Sequence, residues 1–512
     1  MAEAAAEKHP RGLYVLFGTE MWERFSFYTV GAMLTLYLRD SQQGFGMTNA
    51  QAASVSSWYQ MFIYFTPLLG GLLADLILGF RKAIFIGGIF FMAGHALLAV
   101  PNNITIFYLA LTCLVIGNGF FKPNVSSMVG NLYREGSHLK DKAYLIFYMG
   151  INVGALLAPL VAQFVQPRWG FHRAFFMGAI GMALSLLVFL VNQKYVRHAD
   201  RIRGKEQLKA YDANTVAVTE DLPPVSEESR LMNAVPEWKR IVALIVIFLI
   251  VIVFWMVFHQ NSISLTWWAN DHSFRLPGIL SNAINPLWII ILSLPLAGFW
   301  TWLDKRGMEP STPVKMMLGM LLTGLSFMIL YFSARDGGFT GPAFKVVAVE
   351  SGQTLVSIAP EAREHLKITA PSRKLADGTD AWVVRNTGRQ MEKDEFVRLE
   401  SHSPSEIVVG PTKRVSAMWL IIAYLVLSLG ELMLSPMGLS LVSKVAPIRM
   451  RGLMMGGWFA ATAIGNKLTG VARYWDLWSH AQFFIILASM ALAMAVVLLV
   501  LLRPLKKAMP GV

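Results

Sequence analysis

The chain has 512 residues, 55% of them hydrophobic and only 15% charged, with a mean hydropathy of +0.49. A soluble globular domain carries about 25% charged residues, so the composition excludes one and points to a polytopic helical membrane protein. The net charge of +13 sits in bases grouped between apolar runs, with no nucleic-acid-binding motif beside them, which excludes a nucleic-acid partner.

The start, "MAEAAAEKHPRGLY", lacks a signal peptide's basic region and short apolar core, so the first span is expected to direct insertion itself. Runs of about 20 apolar residues read as helical spans. Twelve are expected, at 13–38, 50–77, 82–101, 104–130, 142–166, 173–193, 240–268, 281–303, 313–334, 415–443, 452–472 and 481–503. The first contains "GTEMWERFSFYTVGAMLTLYL" (18–38), with Glu20, Glu23 and Arg24 at depth. Each such charge costs about 2.5–3.5 kcal/mol at the bilayer centre. Glu20 and Arg24 are spaced i and i+4 and Glu23 stands at i+3, so the triplet shares one helix face or its edge. That face must look at a cavity or at partner helices, and a structural ion pair is the alternative to a functional cluster.

"GGLLADLILGFRK" (70–82) after the second span is echoed by "AGFWTWLDKRG" (297–307) after the eighth. Six spans repeated by six, with a midplane site between halves, is a common secondary-transporter plan. In the fourth span, "GNGFFKPNVSSMVGN" (117–131) holds Lys122 too far from either end to snorkel easily, beside the helix-kinking Pro123. It reads as a buried base able to pair with a carboxylate; a lysine reaching the inner interface is the alternative. The fifth span, "FYMGINVGALLAPL" (147–160), sets Tyr148 and Asn152 one turn apart.

Between the sixth and seventh spans a charged segment reads as a cytoplasmic linker at 194–239, with some helix near 205–211. "INPLW" (284–288) is expected to break the eighth span at Pro286 beside Asn285. Residues 335–414, with "AFKVVAVESGQTLVSIAP", "AWVVRN" and "SEIVVG", read as a small β-rich extracytoplasmic insert. The tenth span, "LGELMLSPMGLSLVSKVAP" (429–447), carries Glu431 and Ser435 before Pro436. The expected domains are a six-helix bundle at 1–193, the linker, and a second bundle at 240–512 that contains the insert. Lys and Arg cluster in the loops that share a side with the N-terminus, such as Arg81, Lys82, Lys305 and Arg306, which puts both termini in the cytoplasm. Cys113 is the single cysteine, so no intrachain disulfide is possible.

Each polar pair alone fits interhelical glue as well as a ligand site. As a set they sort by charge. The first half offers Arg24 and Lys122 for an anionic end, and the second offers Glu431 and Asn285 for an ammonium end. Tyr64, Tyr148, Trp255 and Trp458 supply aromatic walls. A zwitterion of a few residues suits such a site. No H-E-x-x-H, G-x-S-x-G or Walker pattern is present and no histidines pair at metal spacing, so a membrane enzyme, a bound metal and a cofactor are not expected. A transporter-like sensor is a third class, and the intact charge set argues against it.

"EMWERFSFY", "GFFKPN", "FYMGINVGAL", "FHQNSISL", "INPLW" and "GELMLSPMGLSLVSKVAP" occur in the order and places that resemble the proton-dependent oligopeptide transporter family, a branch of the major facilitator superfamily. The resemblance covers essentially all twelve spans. It implies an all-α major facilitator fold of twelve helices in two six-helix bundles, set in the cell (inner) membrane. It implies proton-coupled import of di- and tripeptides, with the proton as coupling ion and no obligatory protein partner. Glu20, Glu23, Arg24 and Lys122 would form the proton-coupling cluster, freed to do so by facing an aqueous cavity. Lys122 would also take the peptide carboxylate. Asn152, Asn285 and Glu431 would hold the amino group, and Tyr28, Tyr64, Tyr148, Ser435 and Trp458 would line the pocket. Three features depart from the family. Phe27 replaces a tyrosine and Gly31 stands where many members have a second arginine. The linker lacks the two apolar helices of many bacterial members, and the insert is far smaller than the extracellular domain of animal members. The missing arginine leaves another small anion or an amino acid derivative as the alternative cargo.

Overall fold

The computed structural model describes residues 9–133, 139–200, 232, 234–447 and 450–510. Most of the expected linker, with its helix near 205–211, lies outside the described residues. The chain is mostly helical. The long helices are α1 (Arg11–Arg39), α2 (Asn49–Leu73), α3 (Phe80–Leu98), α4 (Ile104–Asn131), α5 (Leu139–Val191), α6 (Glu237–Phe258), α7 (Ile284–Asp304), α8 (Thr312–Asp336), α9 (Ala417–Val445), α10 (Arg451–Leu468) and α11 (His480–Ala508). Among the described residues nine helical segments are long and apolar enough to cross a membrane.

Helix α5 is interrupted at Gly170, whose φ of 86° and ψ of 172° suit glycine and strain any other residue. Its two arms embrace α1. On the first arm Gly150 and Gly154 face Phe17 and Met21; on the second, Gly181 faces Phe25 and Ser185 donates to the Thr19 carbonyl (2.6 Å). The contacts climb α1 along one arm and descend it along the other, so the chain doubles back at Gly170. Small residues allow this approach between helices. A Cβ on Gly154 would stand 2.3 Å from the Met21 carbonyl oxygen and 2.9 Å from the Phe25 nitrogen. Backbone cannot yield as a side chain can, so Gly154→Ala is expected to cost about 1–3 kcal/mol. A thermal melt in detergent checks this, with a clear fall in Tm as the expected outcome.

The two motifs singled out as echoes end alike. The chain leaves α2 through a π-turn (Ala74–Leu78) into Gly79 at φ 79°, and leaves α7 into Gly307 at φ 64°. Arg81 then hydrogen-bonds Gln193 and takes the Asp200 carboxylate at 3.9 Å.

Residues 343–411 contain a six-stranded sheet in the order β3-β2-β6-β7-β5-β4, with β3 also paired to β5. The strands are β2 (Ala343–Glu350), β3 (Gln353–Ser357), β4 (Ser372–Lys374), β5 (Asp380–Asn386), β6 (Phe396–His402) and β7 (Ile407–Pro411); β1 (Ser273–Phe274) and β8 (Val415–Ser416) pair elsewhere in parallel. The β3–β5 pairing closes five strands into a ring around Phe344, Val346, Val356, Trp382, Val397 and Val409. Ser351 (φ 50°) and Gly352 (φ 80°) form the β2–β3 turn, both left-handed as a tight hairpin requires.

The first half (to Val191) and the second (from Glu237) are joined at the end that carries this sheet. Thr48 caps α2 and also donates its hydroxyl to Glu361 (2.8 Å). Asn49 donates to Asp476 (2.8 Å), and Arg39 pairs with Asp271 (2.7 Å). Burial pushes the Asp476 carboxyl up to about 6, and the Glu361 and Asp271 charges add to the rise, against the Asn49 hydrogen bond and Arg39. A raised acid pKa means the fold prefers the neutral form, so this stabilisation is present at low pH and lost as pH rises through about 6. Lowering pH from 7 to 5 is therefore expected to raise the wild-type Tm more than that of Asp476→Asn, which is neutral throughout. Equal gains would remove Asp476 from the contact's pH response.

Candidate functional site

A cavity of about 240 Å³ lies between the halves. α1 contributes Tyr28 and Gly31, α2 Tyr64, α4 Lys122, and α5 Tyr148 and Asn152. From the second half α7 contributes Asn285, and α9 Glu431 and Ser435. The residues expected to bind cargo thus converge, with one exception. Trp458 stands outside this lining, its ring packed on Phe248 (6.3 Å between centroids) and against Gly438. Trp458 misses the cavity because α10 turns its side chain toward α6 and α9.

The charged triplet also departs from expectation. Glu20 and Glu23 have no exposed surface and Arg24 has 1%, so they face protein and not an aqueous cavity. Arg24 is chelated by its sequence neighbour: Nε donates to one Glu23 oxygen (2.5 Å) and Nη2 to the other (2.6 Å). Nη2 also donates to Asn118 Oδ1 (3.0 Å) on α4, and Asn118 donates back to the Ile63 carbonyl on α2 (2.6 Å). Glu20 approaches Arg24 at 3.4 Å, and its carboxylate oxygens have no hydrogen-bond partner among the described residues. The guanidinium lies over Phe27, 4.5 Å from its centroid, and Phe27 lines the cavity. The cluster is thus one layer behind the cavity wall. A buried carboxylate with unfilled lone pairs is a costly arrangement in a dry site.

Lys122 stands one turn beyond Asn118 on α4, so it lies on the same face, toward α1. Its ammonium sits 5.0 Å from the Tyr64 ring centroid and makes no ion pair among the described residues. Across the cavity, Asn285 donates to Glu431 Oε2 (3.0 Å) and to Ser428 Oγ (2.9 Å). Pro286 does not break a span: α7 begins at Ile284, so the proline falls in its first turn, where its missing N–H costs nothing. The break lies just before, at Asn282 and Ala283, after the short helix Gly278–Ser281. Nothing lies within 4 Å of a Cβ built on Gly31, so the position opens directly into space.

Sequence reasoning missed several lining residues: Gln60, Tyr424, and above all His259, Asn261 and Ser262. The signal for the last three was in "FHQNS", a polar run closing an apolar helix, which here is a 3₁₀ turn (His259–Ser262). Gln60 and Thr35 reach across from the first half to Ser262, at 3.3 Å each.

The arrangement is a cavity with an ammonium on one wall, unpaired among the described residues, and a carboxylate on the other, behind which lies a buried cluster of two carboxylates and a guanidinium. Known proteins are similar to the chain in sequence and in fold along most of its length. A family model, PTR2 (the POT family), matches residues 81–229, 224–362 and 394–479. The chain is 29% identical to an uncharacterized transporter of Bacillus subtilis, YclF, over 98% of this chain and 96% of that one. It is 28% identical to a di-/tripeptide transporter of Lactococcus lactis, over 98% and 97%. A solved peptide transporter POT in complex with alafosfalin superposes with a TM-score of 0.73 at 27% identity, covering 99% of this chain and 97% of that one. With most of its length matched, the chain belongs to the POT family of transporters.

Proposed function

We propose that the chain is a proton-coupled symporter that imports di- and tripeptides by alternating access. The observation that carries this reading is the opposition of Lys122 to the Asn285–Glu431 pair across a cavity between the two halves. A peptide's two charged ends match those two walls, and the small cavity suits a cargo of a few residues. Lys122 takes the carboxylate; Asn152, Asn285 and Glu431 take the ammonium; Tyr28, Tyr64 and Tyr148 form the sides, with Ser435 beside Glu431.

Glu20, Glu23 and Arg24 act behind the wall, with Lys122 as their link to the cargo. A proton reaching Glu20 or Glu23 removes one negative charge from a dry cluster that holds two cations. The repelled Lys122 ammonium then has more to gain from a cargo carboxylate. Loss of the proton on the inner side restores the original pairing and favours release. The drive is about 1.4 kcal/mol per pH unit and about 2.3 kcal/mol per charge for each 100 mV.

Dividing α5 at Gly170 and adding the charged α1 and the shorter α10 brings the nine apolar segments to twelve spans. We place the protein in the cell membrane with both termini cytoplasmic and the β-sheet insert outside. The contacts of Arg39, Thr48 and Asn49 with Asp271, Glu361 and Asp476 then describe a state closed to the outside. Peptide flux needs no protein partner in this reading, and the site performs no covalent chemistry. The test is competition for labelled dialanine uptake in proteoliposomes. Free peptide should compete best, and peptide blocked at either end should compete much more weakly; equal competition by all three would refute two-ended recognition.

A further inference from the structure

Gly31 leaves the first half of the cavity with a single cation. A carboxylate has about four lone-pair sites and one ammonium leaves some of them bare. Among the described residues, the cation-capable side chains lining the cavity are Lys122 and His259. His259 sits in the 3₁₀ turn that follows α6, where Ser262 Oγ donates to its carbonyl (3.3 Å). Its ring stacks on Trp255, with centroids 5.1 Å apart and planes at 21°, and leans on Tyr64 at 5.5 Å. Lys122 lies 5.0 Å from the centroid of that same Tyr64 ring. The Lys122 ammonium from one half and the His259 imidazole from the other therefore meet at one aromatic residue. The Nε2 of His259 is shut off from water and has no hydrogen-bond partner among the described residues. His259 itself lines the cavity, so a small turn of its ring brings this unpaired nitrogen to what the cavity binds, and a site built this way rejects ligands that cannot pair with it. Of the neighbouring polar groups, Gln60 and Thr35 are engaged with Ser262 and Glu431 with Asn285, while the Trp255 indole N–H and Ser56 Oγ, like His259 Nε2, have no partner among the described residues.

We propose that His259 is a specificity-determining residue whose imidazole N–H donates to the cargo carboxylate beside Lys122, in the role that Gly31 leaves unfilled. The inference rests on the peptide reading above. A carboxylate held by Lys122 and His259 bridges the first half to the second, so cargo with a free carboxyl group draws the halves together and cargo without one does not.

The test compares KM for dialanine and for its C-terminal amide in proteoliposomes carrying wild type, His259→Phe or His259→Gln. Phenylalanine keeps the stack on Trp255 and loses the donor, so KM for dialanine is expected to rise about tenfold while the amide changes by less than about twofold. The glutamine amide reaches the Nε2 position and is expected to recover part of the preference. A purely structural role would raise both KM values alike and show no rescue by glutamine. An unchanged acid-to-amide ratio in His259→Phe, with wild type transporting normally, overturns the inference alone. Wild type that takes up neither compound overturns the peptide reading and this inference together.

Discussion

Glu23→Gln is expected to abolish proton-driven accumulation of peptide while sparing counterflow exchange. The substitution keeps the shape of the side chain and an oxygen for Arg24, so the local fold survives, but it removes the charge that Arg24 chelates at 2.5 and 2.6 Å. The variant is fixed in a state resembling the protonated one, so binding and exchange continue while the pH gradient has nothing left to act on. Replacing the residue by alanine is a poorer test, because breaking one side of a buried ion pair costs about 3–5 kcal/mol and threatens folding. Preserved accumulation in Glu23→Gln would shift the proton to Glu20, whose oxygens accept no hydrogen bond among the described residues and which is the next candidate.

The second large effect is expected at the opposite wall. In Glu431→Gln the amide oxygen still accepts from Asn285, so the α7–α9 contact is retained and only the negative charge is lost. A charge-assisted hydrogen bond contributes about 1.5–3 kcal/mol, so KM for dialanine should rise about ten- to hundredfold. N-acetyl-dialanine, which has no ammonium to lose, should be unaffected. A parallel rise for both compounds would make Glu431 a packing residue.

Much of the candidate site was legible in sequence because membrane depth makes polarity expensive. Lys122, Asn152, Asn285 and Glu431 stood out as costly groups, and the structure gathers them on one cavity. The parts that were missed have physical reasons. Neighbouring side chains on a helix point about 100° apart, so periodicity gave no hint that Glu23 would chelate Arg24 itself. Arginine's length closes that gap, and with the pair turned inward no aqueous cavity is needed to shelter it. Trp458 and Tyr64 are equally plausible wall residues by composition; which side each faces depends on how the helices are rotated in the bundle, and no single helix encodes that. His259 was hidden because one histidine at a helix end reads as ordinary. Its significance comes from Tyr64 and Lys122, on helices far away in sequence. The Pro286 difference is a matter of boundary: a proline that breaks a helix interior is harmless two residues later in the first turn.

The measurement that bears most directly on the central claim is uptake of labelled dialanine into proteoliposomes, with and without an inward proton gradient. The account predicts accumulation above the external concentration only when the gradient is present, collapsing when a protonophore is added. Equilibration to the same level with or without the gradient, or no uptake by folded protein in sealed vesicles, would contradict it.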